Sequence, residues 1–595
     1  MNDHDYIKSR FENDGLDLPS SLEPDVLGDK IKATGRKRTW ARPALILAAC
    51  ACFAIVLIPT VQGLFSRSAL DDLTVGDDGL YHFKNYRQLN DTIEDMMENG
   101  HANYLKTGDG TVDLAMTEDA EAPALSEGQD HSSTYTQEDD VDESDIVKTD
   151  GRYIYHLSGQ ENRVLITRAK DGVTKRIAAV GDPGDSLIRD LYINDDQLIL
   201  ISDTNDNDIF STAVTVYNIR DRAKPTRLGR YTQTGSLLSS RMTGGKILLV
   251  TSQTTYIFTN ATPVPAVSYD DGDFVDFDID DIQCVPDPVS PSYTVVGLID
   301  PSDGRLSEKK TTAKAVLGGS EQVYCSSDEL YITASTFDLK EETQIIKVSF
   351  GDGKLRYSAF GTVDGGVNDQ FSMDSSKGTF KIATTDYRDG GDTNNLFILD
   401  DKLKEVGSLR NFARDEHIEA VRYIGDYAYV ITYEETDPLF IIDLSDPSDP
   451  VIDGHVKISG FSTLLVPVDD KHLLGFGYST ESTDAGEATD GLKLALFDIS
   501  DPSDPKVSDS MELSGVSSQI QYDHKALLVG PNNSYYAVPY EQTETDYGIA
   551  VFEVGSGKIK LKKDLAAKDC VERCIYIEDW IYGICSDDTI RAFRI

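Results

Sequence analysis

The chain has 595 residues, enough for several domains, and a formal charge of −46 from 56 Lys and Arg against 102 Asp and Glu. So large a negative charge repels phosphate groups, which excludes duplex DNA, RNA and anionic membrane surfaces as extensive partners. Hydrophobic residues make up 39% of the chain and tyrosines number 29, which is enough to build large cores and excludes a wholly disordered protein.

The N-terminal region predicts a membrane anchor. Residues 43–66 are 24 consecutive positions without a charged side chain, enough for one helical crossing of roughly 30 Å. Residues 1–42 hold 8 basic and 8 acidic residues, and most of their Lys and Arg lie just before the span. This arrangement predicts a cytoplasmic tail, an uncleaved single-pass anchor and an extracytoplasmic remainder that carries the whole −46 charge. A cleaved signal peptide and a lipoprotein modified at Cys50 are the alternatives.

Two segments are expected between the span and the main domain. Residues 67–106 predict a juxtamembrane helical segment, because apolar residues from Phe83 to Tyr104 recur three and four positions apart. Residues 107–131 predict an acidic linker. The stretch from 107 to 147 contains 13 Asp and Glu and neither Lys nor Arg, a composition typical of solvated, extended chain.

The remaining residues, 132–595, contain internal repeats. Asp443-Leu-Ser-Asp-Pro-Ser-Asp-Pro450 and Asp498-Ile-Ser-Asp-Pro-Ser-Asp-Pro505 are identical at seven of eight positions and stand 55 residues apart. Each octapeptide follows one apolar stretch and precedes another. Because Asp-Pro disfavours helix and fixes the backbone, each octapeptide predicts a rigid turn between two strands.

A second recurring element is a tight hairpin whose second strand is rich in Tyr, Ile and Val. It occurs nine times, about every 50 residues, with one longer interval caused by an insertion at Gln253–Ser292. The copies are Val147–Tyr155, Leu191–Leu200, Arg241–Val250, Val323–Ile332, Phe371–Ile382, Val421–Ile431, Leu464–Leu474, Ile520–Val529 and Cys574–Ile584. This periodicity predicts an all-β fold, a β-propeller of about eight to nine four-stranded blades, preceded by one transmembrane helix and a short extracytoplasmic helix.

The last copy leaves room for only three strands before the chain stops. Ser132–Gln137, just before the first copy, is the expected source of the missing outer strand. If so, this segment closes the ring by joining the two ends of the propeller.

The β-rich region opens with a long motif, here called the opening motif, Val141-Asp-Glu-Ser-Asp-Ile-Val-Lys-Thr-Asp-Gly-Arg-Tyr-Ile-Tyr155. Further motifs are Gln370–Asp374, Ile382–Thr385, Asp437–Pro447, Leu473–Gly477 and Tyr522–Ala526. Together they resemble a bacterial and archaeal family of secreted proteins with a C-terminal β-propeller distantly related to WD40 repeats, and the resemblance covers nearly all of residues 80–595. The resemblance implies a propeller fold and an exterior location, and it transfers no catalytic residue. The pair Cys570 and Cys574 departs from the family pattern.

No catalytic, cofactor-binding or metal-binding residues are assigned from the sequence. Asp415-Glu416-His417 is interpreted as a turn before the strand at Val421, and His524 as part of a hairpin tip. Asp203-Thr-Asn-Asp-Asn-Asp208 has the composition of a calcium loop, but it lacks the glycine and the twelfth-position Glu of an EF-hand, which favours a solvated strand connection. No cofactor is therefore expected, and calcium at this loop is the alternative. The five cysteines after the span are an odd number, and none is assigned to a disulfide.

Two functions from different classes fit these observations. In the first, the propeller is a binding or scaffold module at the cell surface that holds a protein, peptide or cell-wall polymer at one mouth of the ring. In the second, it is an enzyme that uses Asp and Glu in the central channel for glycan hydrolysis or a lyase reaction. A cleft with two inward carboxylates about 5–10 Å apart favours the enzyme. A mouth lined with Tyr and mixed polar groups favours binding, which we expect because no motif calls for catalysis.

The predicted orientation can be tested on intact cells. We expect an added protease to digest the chain after Phe65 and to leave a short protected N-terminal fragment. Immunoblotting with antibodies against the tail and against the C-terminus measures the outcome. Full protection of the C-terminal epitope contradicts the orientation, and an N-terminus at a lipid-modified Cys50 establishes the lipoprotein alternative.

Overall fold

The computed structural model of this protein describes residues 69–104, 131–184, 186–206, 209–255, 264–337, 341–387, 391–433, 437–483, 486–543 and 545–595. The predicted tail and membrane span, residues 1–66, and the acidic linker up to residue 130 lie outside the described residues. Within the described ranges, no helix is long and apolar enough to cross a membrane.

The described chain begins with a 3-10 turn, Ala69–Asp72, two short strands, β1 (Thr74–Val75) and β2 (Tyr81–His82), and the helix α1 (Tyr86–Tyr104). This helix confirms the predicted amphipathic segment. It begins after Asn85 because the Asn85 side chain accepts the Gln88 N–H while the Gln88 side chain accepts the Lys84 N–H. The buried face of the helix packs on the third blade of the domain that follows.

From β3 (Val141–Glu143) onward, the described strands form nine sheets arranged as a ring. Eight have four or more strands and are called blades 1–8. Blades 1 and 2 contain β4 (Val147–Thr149), β5 (Tyr153–Ser158), β6 (Arg163–Lys170), β7 (Val173–Val180), β8 (Leu187–Asn194), β9 (Gln197–Asp206), β10 (Ile209–Asn218) and β11 (Thr226–Thr234). Blade 3 and its insertion contain β12 (Ser236–Thr243), β13 (Lys246–Thr254), β14 (Ala266–Tyr269), β15 (Val275–Asp276), β16 (Ile282–Cys284), β17 (Ser292–Ile299) and β18 (Thr311–Leu317).

The other five blades are regular four-stranded sheets, and a ninth sheet of three strands follows them. Blades 4 to 6 contain β19 (Gln322–Cys325), β20 (Glu329–Phe337), β21 (Glu341–Ser349), β22 (Arg356–Asp364), β23 (Met373–Ser376), β24 (Thr379–Asp386), β25 (Thr393–Leu399), β26 (Glu405–Phe412), β27 (His417–Ile424), β28 (Tyr427–Tyr433), β29 (Asp437–Asp443) and β30 (Val451–Ile458). Blades 7 and 8 contain β31 (Phe461–Asp469), β32 (His472–Thr483), β33 (Gly486–Asp498), β34 (Lys506–Ser514), β35 (Leu528–Val529), β36 (Tyr536–Thr543), β37 (Asp546–Gly555) and β38 (Lys558–Ala567). The ninth sheet contains β39 (Val571–Ile577), β40 (Trp580–Cys585) and β41 (Ile590–Arg594).

Each blade is an antiparallel meander whose first strand lies nearest the ring axis, and apolar side chains fill the space between neighbouring sheets. The ring is closed by the contact of the ninth sheet with blade 1, where Ile575, Ile577 and Tyr582 pack against Val147 and Ile154. A single sheet buries only one face well, so stacking sheets around an axis is what covers both faces of each.

The insertion predicted at Gln253–Ser292 enlarges blades 2 and 3 at their outer edges. Strands β14 and β15 continue the sheet of blade 2 beyond β11, whereas β16 pairs parallel with β18 and so extends blade 3. Strand β2, from the N-terminal part of the chain, then pairs with β16. The outer edges of this ring therefore accept additional strands.

The expected role of Ser132–Gln137 as an outer strand is wrong. His131 forms a bridge to Ile577 and the Ser132 N–H donates to the Tyr576 oxygen at 3.0 Å, which places the segment at the inner edge of the ninth sheet, beside β39. There it buries Tyr135, which is 2% exposed in a core shared with blades 7 and 8. The N-terminal segment thus joins the ends of the ring from inside.

The eighth hairpin prediction, Ile520–Val529, is also wrong. Gln519–Gln521 and His524–Ala526 form two short 3-10 turns, and the hairpin of blade 8 lies later, between β35 and β36. The cause is local side-chain capping, because Ser518 forms a capping box with Gln521 and Asp523 accepts the Lys525 N–H. Such bonds satisfy backbone groups that a strand would have to pair elsewhere.

The two Asp-Pro octapeptides form turns between the third and fourth strands of blades 6 and 7, as predicted. Each turn presses against a glycine on the outer strand of the preceding blade. A Cβ atom added to Gly407 or to Gly454 would lie 2.4 Å from the oxygen of Pro447 or Pro502, respectively. Glycine is therefore required at these positions because the neighbouring backbone comes too close for any side chain.

We expect Gly407→Ala to lower the free energy of unfolding by roughly 1–3 kcal/mol, since the turn at Pro447 must move away. Gly555→Ala is the matched control, because a Cβ there has no atom within 4 Å. Thermal melting of both variants measures the difference, and equal melting temperatures would show that the turn does not hold the blades in contact.

Candidate functional site

Residues 131–146, here called the channel segment, cross the central channel of the ring. The Gln137 side-chain amide donates to the backbone oxygens of Gln370 and Met373 at 3.2 and 3.1 Å, on the side of blade 5. The Tyr324 hydroxyl of blade 4 donates to Glu138 at 2.8 Å. Strand β3 then pairs with the inner strand β12 of blade 3, and Asp145 bridges to the inner strand of blade 2. Together with the bridge from His131 to the ninth sheet, these contacts join the channel segment to five sheets before blade 1 begins.

A buried charge cluster surrounds Glu143, at the centre of this path. Glu143 is 2% exposed, and its carboxylate accepts a hydrogen bond from the Gln370 amide at 3.2 Å. The Arg241 guanidinium lies 3.8 Å and His524 Nε2 3.5 Å from the same carboxylate. Burial opposes the charged form, but Arg241 and His524 outweigh it and hold the pKa of Glu143 below its ordinary value. The cluster joins the channel segment to blades 3, 5 and 8.

A second buried pair connects the channel segment to the ninth sheet. Arg573, 7% exposed, donates from Nε to Asp145 at 3.0 Å and from a terminal nitrogen to Asp523. The same guanidinium donates to the Gln519 side chain at 2.7 Å. Burial alone would lower the pKa of Arg573, but Asp523 and Asp145 raise it above its ordinary value. One cation thus links the opening motif, the ninth sheet and the 3-10 turns before blade 8.

Other charged residues of the opening motif also form hydrogen bonds and ion pairs inside the ring. Lys148 donates to Asp142 and to the Glu143 oxygen, both at 2.6 Å. Asp150 accepts from the Tyr155 hydroxyl at 2.8 Å and from Arg222 of blade 2 at 3.1 Å. Five charged residues of the opening motif, Asp142, Glu143, Asp145, Lys148 and Asp150, are therefore used for internal ion pairs and hydrogen bonds.

Two further carboxyl groups on this path are affected by burial. Burial raises the pKa of Glu138 to about 7, although the Tyr324 hydroxyl favours its charged form. Burial also raises the pKa of Asp369 to about 7, despite hydrogen bonds from the N–H groups of Phe371 and Ser372. Both groups therefore titrate close to neutral pH.

One opening of the channel is lined by aromatic side chains, here called the aromatic mouth: Tyr387, His417, Tyr433, Phe461, Tyr478 and Tyr522. His417 and Phe461 begin inner strands, Tyr433 ends β28 and Tyr387 follows β24, so these residues share one face of the ring. The ring centroids of Tyr433 and Phe461 are 4.5 Å apart, and those of Phe461 and Tyr478 are 5.1 Å apart.

The outer members of the aromatic mouth are accessible. Tyr387 and Tyr522, which lie on either side of the Tyr433, Phe461 and Tyr478 rings, are 56% and 52% exposed. His417 Nε2 lies 2.9 Å from the Glu419 carboxylate, and this hydrogen bond raises the pKa of His417. The mouth therefore combines ring faces, hydroxyl groups and one ion pair, which suits recognition of a ligand by stacking and hydrogen bonding.

The residues that the sequence singled out as candidate catalytic or calcium-binding groups lie at separate places in the structure. Asp415 and Glu416 lie in a turn as interpreted, and strand β27 begins at His417. His524 is not at a hairpin tip: it is fully buried, 5.9 Å from the ring of Phe371. In the calcium-loop candidate, Asp203 lies in β9 and pairs with Arg189 at 2.6 Å, and residues 207–208 lie outside the described residues. In the described part of the chain, no group of three or more His, Cys, Asp or Glu is placed to hold a metal ion.

The five cysteines after the predicted span are free thiols. Cys574 lies opposite Gly583 and Cys585 opposite Val571, so the two thiols are diagonal, not opposite, across the strand pair. Burial raises the pKa of Cys574 to about 12, so this thiol is protonated at neutral pH.

The fold and its interior define an all-β propeller whose channel is crossed by its own N-terminal segment. Residues 131–595 match the family model described as a β-propeller domain, and the chain belongs to this family. An uncharacterised protein of Archaeoglobus fulgidus is 35% identical over 260 residues, which cover 43% of this chain and 39% of that protein's length. An uncharacterised protein of Methanocaldococcus jannaschii is 26% identical over 581 residues, which cover 84% of this chain and 87% of that protein.

Solved structures with a similar fold are distant. The β-propeller domain of the trilobed protease from Pyrococcus furiosus has a TM-score of 0.31 at 10% identity and covers 64% of this chain and 98% of its own. Acylaminoacyl peptidase from Pyrococcus horikoshii has a TM-score of 0.30 at 13% identity, with 70% of this chain and 59% of its own covered.

We expect Arg573→Met to lower the free energy of unfolding by about 3–5 kcal/mol, because Asp145 and Asp523 would stay buried without their cation. Arg594→Met is the matched control in the same sheet. The Arg594 side chain is 71% exposed and 3.7 Å from Asp579, and loss of such a surface pair costs about 0–1 kcal/mol. Urea unfolding measures both. Similar losses in the two variants would mean that the buried pair does not anchor the channel segment.

We expect Glu138→Gln to raise the melting temperature at pH 8 and to have little effect at pH 5. The folded pKa of Glu138, about 7, lies above its unfolded value, so the stability it contributes is complete below the unfolded pKa and is lost as pH rises through 7. Glutamine mimics the protonated form and can still accept from Tyr324. Glu161→Gln, at an exposed carboxylate paired with Arg176, is the control and should show no gain at pH 8. A gain for Glu138→Gln that is the same at both pH values contradicts the titration.

Proposed function

We propose that this protein is a single-pass, membrane-anchored, extracytoplasmic propeller that acts as a binding or scaffold module at the cell surface. The aromatic mouth is its binding site, and the ligand is a protein, a peptide or a cell-wall polymer. The anchor and its orientation rest on the charge-free residues 43–66 and the basic residues before them.

The aromatic mouth is the observation that carries the proposal. Tyr387 and Tyr522 expose more than half of their surface on a face whose central rings are held in contact by rigid strands. Exposed aromatic groups on a rigid scaffold lose little conformational entropy when they bind a ligand. The ring supplies the rigidity, and the mouth supplies contact area and polar groups.

The channel supports binding over catalysis. Glycan cleavage requires two carboxyl groups that face a substrate cleft. Glu143 and Asp145 instead contact Arg241, His524 and Arg573, and the channel segment runs beside them. Both carboxylates have structural partners, so neither is proposed as a catalytic residue.

The proposal is tested with the full-length chain in lipid nanodiscs against an array of peptides and purified wall polysaccharides, with and without calcium. We expect at least one ligand class to bind, and the double variant Tyr387→Ala and Tyr522→Ala to weaken that binding at least tenfold. Phe210→Ala is the matched control, because Phe210 is 64% exposed on blade 2 and outside the mouth. Binding that survives loss of both tyrosines, or that Phe210→Ala weakens equally, would overturn the site.

A further inference from the structure

The ninth sheet has an outer edge unlike those of its neighbours. Its third strand, β41, pairs with β40, and in the described ranges no strand lies beyond it. Blades 1 to 8 each have at least a fourth strand at the corresponding position. Among the described residues, the outer edge of β41 is therefore without a strand partner, in a sheet that packs between blade 8 and blade 1.

The register of β41 shows which backbone groups lie on this outer edge. Ile595 donates its N–H to Asp579 and Cys585 donates to Thr589, so the odd-numbered residues of β41 exchange bonds with β40. The N–H and C=O groups of Ile590, Ala592 and Arg594 therefore point outward. The Arg594 oxygen indeed accepts from the Lys563 ammonium of blade 8 at 2.6 Å.

The surroundings of this edge are basic, in contrast to the chain as a whole. The flanking strands and β41 carry eight Lys and Arg, namely Lys175, Arg176, Lys558, Lys560, Lys562, Lys563, Arg591 and Arg594. Four of them pair with a carboxylate: Arg176, Lys558, Arg591 and Arg594, at 2.7, 3.1, 3.4 and 3.7 Å, respectively. Lys175 lies opposite Arg168, on the face of blade 1 that packs on blade 2, so Lys560, Lys562 and Lys563 of β38 are the lysines beside the edge. In a protein of net charge −46, a cluster of lysines favours an acidic partner. The cluster attracts negatively charged groups, whereas the rest of the surface repels them.

Partly buried apolar side chains also lie along this edge. Phe593 and Ile595 pack partly against the core shared with blade 8, and Ile590 and Ala592 against the core shared with blade 1. All four are only partly buried. An added strand would cover them on both faces of the sheet.

We propose that the outer edge of β41 binds an acidic, extended segment of a partner protein by strand addition. Backbone hydrogen bonds to Ile590 and Ala592 supply affinity, and carboxylates facing Lys560 and Lys562 supply selectivity. The ring itself shows that its outer edges accept strands in this way, because β16 and β2 extend blade 3 and β14 extends blade 2. This surface is separate from the aromatic mouth.

The test uses the full-length chain and a fluorescent eight-residue peptide that alternates Val with Glu, followed by anisotropy. We expect this peptide to bind, and its Lys analogue and a form with proline in place of the central valines to fail. Lys560→Glu with Lys562→Glu should weaken binding at least tenfold. Lys354→Glu with Lys402→Glu, exposed lysines of other blades, is the charge-matched control and should have no effect.

A backbone variant separates strand addition from simple charge attraction. Ala592→Pro removes an outward N–H and leaves the bonds to β40 in place, so we expect it to abolish binding without a large change in melting temperature. Equal binding of the Val-Glu and Val-Lys peptides, or binding that persists in Ala592→Pro, overturns the proposal. Binding that appears only after residues 107–130 are deleted identifies the chain's own acidic stretch as the occupant and equally overturns a partner strand.

Discussion

Arg573 lies between Asp145 and Asp523 in the interior, and this contact joins the channel segment to the sheet that closes the ring. The three residues come from the channel segment, the ninth sheet and the turns before blade 8, which are far apart in the chain. A buried cation with two carboxylates tolerates little displacement, because each charge left without its partner is costly. The contact therefore positions the N-terminal segment as well as the last sheet.

The channel segment changes what this propeller can do. In an open propeller, the channel is available to a ligand, but here Glu138, strand β3 and Asp145 bind blades 4, 3 and 2 from inside. In the proposed function, a ligand therefore binds at the mouth or at the perimeter. The aromatic mouth and the edge of β41 differ in character, since one offers ring faces near the axis and the other offers backbone groups among basic side chains.

The alternation of apolar residues and the turn signals predicted eight of the nine hairpins. This is possible because each blade pairs strands that follow one another in the chain, so the residues that define a hairpin are neighbours in the sequence. The eighth was misassigned where Ser518 and Asp523 cap 3-10 turns, although both side chains were visible as capping residues in the sequence. The aromatic mouth was missed since its members are separated by up to 135 residues. One signal was available: His417 and Phe461 stand at equivalent positions of successive repeats.

The sequence by itself determined the class of fold, the repeat length and the positions of the turns, since these follow from neighbouring residues. Only the tertiary structure decided that Ser132–Gln137 enters the channel instead of covering the outer edge, and that His524 lies beside Glu143. Both choices depend on which distant side chains meet. Burying Tyr135 in the core of blades 7 and 8 and pairing Asp145 with Arg573 require partners more than 300 residues away, and no local pattern records them.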